Sequence, residues 1–145
     1  MTIALVALIG AAGCGGAATH HPAHTSTRPP VATLTSSSGT RTLVTGSYCW
    51  TARSGSSSVA GCGDAAAPRL IPGMPRIHVQ AGETVVVHLG FSPTAPVDVT
   101  IGRDHYTLPA ASVLRVRVRH GGFLTLDPRR GSDDVEYLAR MVIAS

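Results

Sequence analysis

A chain of 145 residues has room for one domain with appendages and not for two full domains. Its formal charge of +4 is dispersed along the chain and carried by Arg alone, since Lys is absent. With aromatics at only 4%, the interleaved basic and aromatic pattern of single-strand nucleic-acid binders is missing, and no nucleic-acid partner is expected. A modest positive charge instead favours anionic lipid or wall polymer.

Residues 3–9 are apolar without a break, and residues 10–13 are all small. The run is far short of the roughly 20 residues that cross a bilayer. Followed by small residues, it reads as a signal peptide. The small residues stop at Cys14, and here the stretch LIGAAGC resembles the lipobox of bacterial lipoproteins. In that family the cysteine receives a diacylglyceryl thioether and becomes the new N-terminus. The match rests on residues 11–14; Ala11 stands where the family usually has Leu, and no Lys or Arg precedes the apolar run. The resemblance implies a signal peptide over residues 1–13, lipid on Cys14, and an extracytoplasmic protein anchored to the cell membrane.

Residues 15–40 are Gly, Ala, Ser, Thr, Pro and His with scarcely a large apolar side chain. Such a segment cannot bury enough surface to offset chain entropy, so residues 14–39 are expected to form a disordered tether. Its r.m.s. reach would be about 25–30 Å. Within it, THHPAH offers His20, His21 and His24 as donors for zinc or copper. A closed zinc site takes four ligands, and no fourth is near, so a solvated linker is the preferred reading.

From residue 40 to 145 the apolar period becomes two, the signature of half-buried strands. Strands are predicted over residues 40–45, 48–51, 76–80, 83–89, 97–102, 106–108, 113–119, 123–126 and 135–143. Residues 54–58 read as a flexible loop, 61–63 as a tight return, and 65–75, with three prolines, as irregular crossing chain. Ala81 and Gly82 predict a hairpin between their flanking strands. Residues 128–134 read as a polar loop. The last segment also fits helical spacing, but its terminal β-branched residues favour a strand.

Seven to nine short strands at this spacing predict an all-β, immunoglobulin-like antiparallel sandwich over residues 40–145. The Cys–Trp–Cys spacing of true immunoglobulin domains is missing, because Trp50 directly follows Cys49 and Cys62 lies too close. With Cys14 assigned to lipid, Cys49 and Cys62 are left to pair in an oxidising compartment, stapling a local loop or hairpin. The motif GSYCW at residues 46–50, with Cys62 and Asp64 after it, resembles a group of small predicted lipoproteins of Gram-positive bacteria. Their later PG…V…G…V pattern is matched loosely by Pro72, Gly73, Val79, Gly82 and Val85. The likeness implies a secreted β-sandwich and transfers no activity.

No nucleophile elbow, phosphate loop, zinc-protease helix or paired-thiol motif occurs. No acid–base constellation stands out either, so an enzyme is not expected and no cofactor is implied. Asp133, Asp134 and Glu136 are candidate calcium ligands, but calcium takes six or more oxygens and Arg129 and Arg130 stand beside them. A solvated loop is preferred. His78 and His88 fall on polar faces of adjacent predicted strands and could share a metal. Tyr48 and Trp50 beside the staple form a candidate binding surface, although Trp50 is more simply read as core packed over the disulfide. Arg115, Arg117 and Arg119 recur with period two, which puts them on one face about 7 Å apart. They form either a solvated face or a site for an anionic surface. The functional expectation is a lipid-anchored binding or structural module of the cell envelope. A zinc- or copper-binding lipoprotein and an envelope enzyme are the alternatives.

Overall fold

Period-two alternation decides nearly every element of this chain. In the computed structural model, which describes residues 26–145, these residues form twelve strands and one short 3-10 turn, Pro68–Leu70. Cys14, His20, His21 and His24 lie outside the described residues, as do the expected signal peptide and the first part of the expected tether. The strands are β1 (Thr33–Ser36), β2 (Gly39–Thr42), β3 (Val44–Ser54), β4 (Ser57–Gly63), β5 (Arg76–Val79) and β6 (Thr84–His88). They continue with β7 (Val97–Ile101), β8 (Asp104–Leu108), β9 (Val113–Arg117), β10 (Gly122–Asp127), β11 (Arg129–Arg130) and β12 (Asp133–Ile143).

The expected all-β sandwich is what the chain forms, with more strands than the seven to nine predicted. A small sheet has the order β2-β1-β6-β9, and a large one β4-β3-β12-β10-β7-β8. All pairings are antiparallel except β5, which adds to β12 in parallel. Both sheets contribute to one core: Leu34, Val85, Val87, Leu114 and Val116 from the small sheet meet Trp50, Ile77, Val99, Leu124, Leu126 and Tyr137 from the large one. The final segment is a strand, as its β-branched end implies, with Val135, Tyr137, Ala139 and Met141 turned inward.

Four expectations are corrected. The tether does not extend to residue 39. Ala32 and Leu34 are fully buried, and β1 pairs with both β2 and β6. The Tyr137 hydroxyl, itself buried, donates to the carbonyl of Pro30. A composition average over the segment hid two alternating apolar positions that are enough to seat a strand.

The flexible loop at 54–58 is instead a tight turn. Ser54 and Ser57 are register partners, and Gly55 takes φ +58°, where a side chain would be strained. Residues 128–134 are also not a solvated loop, because β11 pairs with the start of β12. The hairpin at Ala81 and Gly82 does not form. β5 lies in the large sheet and β6 in the small one, so this turn is a switch between sheets. The Gly82 amide donates to Val118 O at 2.7 Å, which ties the switch to the chain leaving β9. The Glu83 carboxylate accepts from the Ser37 and Gln80 amides. These hydrogen bonds, that of Ser37 foremost, hold the Glu83 carboxyl below its ordinary range.

Candidate binding surfaces

Cys49 on β3 faces Cys62 on β4 as a direct register partner, with Cα atoms 4.1 Å apart, and the two form the expected disulfide. Successive side chains of a strand leave on opposite faces. The disulfide therefore sits on the outer face, while Trp50 points inward and is 1% exposed. Trp50 is core, as preferred, but it does not pack over the disulfide and is no binding surface. Its ring meets Phe91 edge-on at 4.8 Å and lies under the Arg130 guanidinium at 4.1 Å. Tyr48 is half-buried against Gly63 and borders a cleft of about 440 Å³ that Arg28 and Asp64 also line.

The acidic triplet is split, with Asp133 turned away from Asp134 and Glu136. Asp133 is buried, pairs with Arg130 at 2.7 Å and accepts the Thr51 amide at 3.1 Å. Burial by itself would raise its carboxyl; hydrogen bonds from Thr51 and Arg130 outweigh that and hold it below the usual range. Calcium therefore cannot draw on Asp133, which is committed inward. His78 stands on β5 and His88 on β6, in different sheets, so they share no face. Among the described residues no three His, Cys, Asp or Glu side chains are placed so that they could hold one metal ion.

Arg115 and Arg117 project from β9, the edge strand of the small sheet, alternating with buried Leu114 and Val116. Their register partners on β6 are Val86 and Thr84. The Arg117 guanidinium leans over Gly82, where an added Cβ would meet it at 3.7 Å. β9 ends at Arg117; beyond it Val118 is still buried and Arg119 exposed, and the Arg119 charge acts on Asp104. That carboxyl is held low by its hydrogen bond to His120, with Arg119 adding a smaller attraction.

One cleft on the outer face of the large sheet carries the opposite charge. Asp98 on β7, Asp127 on β10, and Asp134 and Glu136 on β12 line one cleft of about 270 Å³, together with Arg129 and Ser47. Asp98 and Asp127 are register partners. Burial pushes the Asp127 carboxyl up, and the charges of Glu136 and Asp98 push it further. Sequence reasoning missed Asp98 and Asp127. Their only local signal was an outward position on an alternating strand, and three separate strands bring the group together.

The carboxylates of the strands are thus confined to one sheet. Every carboxylate that belongs to a strand is in the large sheet, and β1, β2, β6 and β9 contain none. Comparison with protein-family models, curated proteins and solved structures finds no match to this chain.

Proposed function

We propose that this chain is a lipid-anchored, extracytoplasmic β-sandwich that acts as a binding module of the cell envelope. The small sheet's outer face, in this reading, turns toward an anionic lipid or wall surface. The observation that carries it is the position of Arg115 and Arg117 on a sheet whose strands contain no carboxylate, opposite a sheet that holds an acidic cleft. Each Arg near an anionic surface contributes roughly 1 kcal/mol. Two would orient a domain already tethered there without anchoring it, and the acidic cleft would be repelled. LIGAAGC supplies the anchor through Cys14.

Two experiments test the reading. Cys14→Ser should move the protein from the membrane to the soluble fraction; unchanged fractionation rejects the anchor. The unlipidated Cys14→Ser chain should then sediment with vesicles in proportion to their anionic lipid, and less so in salt. Adding Arg115→Ser and Arg117→Ser should weaken sedimentation about tenfold or more. Equal sedimentation with and without these two changes at low salt rejects the face.

A further inference from the structure

Three arginines meet on the outer face of the large sheet without a carboxylate among them. Arg76 on β5 and Arg140 on β12 are partners in the parallel ladder, and the Arg140 amide donates to Pro75 O at 2.8 Å. Ile77 and Met141, their next neighbours, are buried, so both Arg side chains leave the sheet side by side on its outer face. Arg69 joins them from the 3-10 turn Pro68–Leu70 in the crossing chain. The three line a cleft of about 360 Å³ with Pro68, Met74 and Phe123. The Arg140 guanidinium stands 5.9 Å from the Phe123 ring centroid. Among the described residues, none of the three guanidiniums takes part in an ion pair.

Like charges on register partners destabilise a sheet. Solvation and screening make the arrangement tolerable, but an anion between the guanidiniums would convert repulsion into attraction. A phosphate monoester carries close to two negative charges and three acceptor oxygens at neutral pH. Guanidinium forks match that geometry with paired hydrogen bonds, and three of them suit it better than a carboxylate of single charge. Phe123 and Met74 add an apolar wall that a bare ion would leave unused.

We propose that this cleft binds the phosphate group of an organic phosphate ester. Arg69, Arg76 and Arg140 hold the phosphate, and the ester's apolar or planar part rests on Phe123. The site lies on the other sheet from Arg115 and Arg117 and does not depend on the role proposed for them.

The test titrates the full chain with phenyl phosphate, inorganic phosphate and vesicles containing phosphatidic acid, a lipid phosphate monoester, following the backbone amides of Arg69, Arg76, Phe123 and Arg140. Phenyl phosphate should shift these amides saturably and bind several-fold tighter than inorganic phosphate. Arg76→Gln and Arg140→Gln should each weaken binding about tenfold. Phe123→Leu should remove the preference for the phenyl ester and keep inorganic phosphate binding. The Arg115→Ser, Arg117→Ser double variant should bind phenyl phosphate like the parent, which separates this site from the small-sheet face. Melting gives a second readout: the ester should raise the Tm of the parent by more than that of Arg140→Gln, whatever the variant's own stability. Vesicles that shift the amides and compete with phenyl phosphate would identify a lipid head group as the source. A shift by the soluble ester alone would identify a soluble one. Absence of a saturable shift with tens of millimolar phenyl phosphate, or binding that survives both Arg changes, overturns the proposal.

Discussion

The Arg130 guanidinium lies 4.1 Å from the centroid of the Trp50 ring. It also reaches Asp133 at 2.7 Å and donates to Thr51 O at 3.3 Å, while Asp133 accepts the Thr51 amide at 3.1 Å. One cation thus closes the core over Trp50 and locks the β11–β12 turn to β3. Removing it leaves a buried carboxylate without its partner. Arg130→Ala should therefore cost about 3–5 kcal/mol at neutral pH. Arg129→Ala, at an exposed neighbour, should cost far less.

The same pair sets a dependence on acid. The folded-state carboxyl of Asp133 is lowered, so its contribution is full above the ordinary Asp range and is lost as pH falls through the lowered value. In Arg130→Ala, protonating Asp133 removes the uncompensated charge. Urea unfolding at neutral pH and near pH 3 should show the penalty of Arg130→Ala shrinking in acid. A penalty independent of pH would mean that packing on Trp50, and not the ion pair, accounts for it.

Because the disulfide and Trp50 occupy opposite faces of β3, reduction and core exposure should separate. Reducing Cys49–Cys62 should lower stability by roughly 2–3 kcal/mol under the chain-entropy model. Trp50 emission should stay at the wavelength of a buried indole until the domain itself unfolds. A red shift on reduction under native conditions would place the staple in direct support of the core.

Two glycines should respond differently to alanine. At Gly46 an added Cβ meets the Glu136 carboxylate and, at 3.0 Å, a methyl of buried Leu138. The Glu136 end is flexible, so Gly46→Ala should cost about 1–3 kcal/mol and be partly relieved by adding Glu136→Ala. At Gly122, with φ +148°, the Cβ would meet backbone, the Gly102 Cα at 2.5 Å. Gly122→Ala should be the more damaging change, with no side-chain rescue. Thermal melts of the three variants rank them directly, and an equal loss at both sites would contradict this account.

The acidic cleft gives the opposite pH sign. The Asp127 carboxyl is raised by burial and by its acidic neighbours, so the folded state favours its protonated form. That contribution is present below the ordinary Asp range and is lost as pH rises through the raised value. Asp127→Asn should therefore stabilise the protein at neutral pH, by less than about 1 kcal/mol given solvent screening. The gain should vanish near pH 3. A gain that persists in acid would assign the effect to something other than charge.

The all-β class, the inward positions of Leu114, Val116 and Val118, and the Cys49–Cys62 pairing were legible in the sequence. All three depend on local information: a period of two reports which face a residue takes, and Cys49 and Cys62 stand close in the chain, apart from Cys14. The opposite faces of Cys49 and Trp50 follow from the same rule, since they are adjacent in one strand. Partner choice is another matter. Nothing local distinguishes β5 and β6 as a hairpin from β5 and β6 in different sheets, because alternation specifies a face and not a neighbour. The same holds for Leu34, whose strand is worth forming only when β6 is beside it. Both charged clefts arose in this way. Asp98 reaches Asp127 and Glu136 only because β7 pairs with β10, and Arg76 meets Arg140 only because β5 closes in parallel on β12. Those encounters come from long-range pairing, which burial of a shared core selects and no short stretch of sequence encodes.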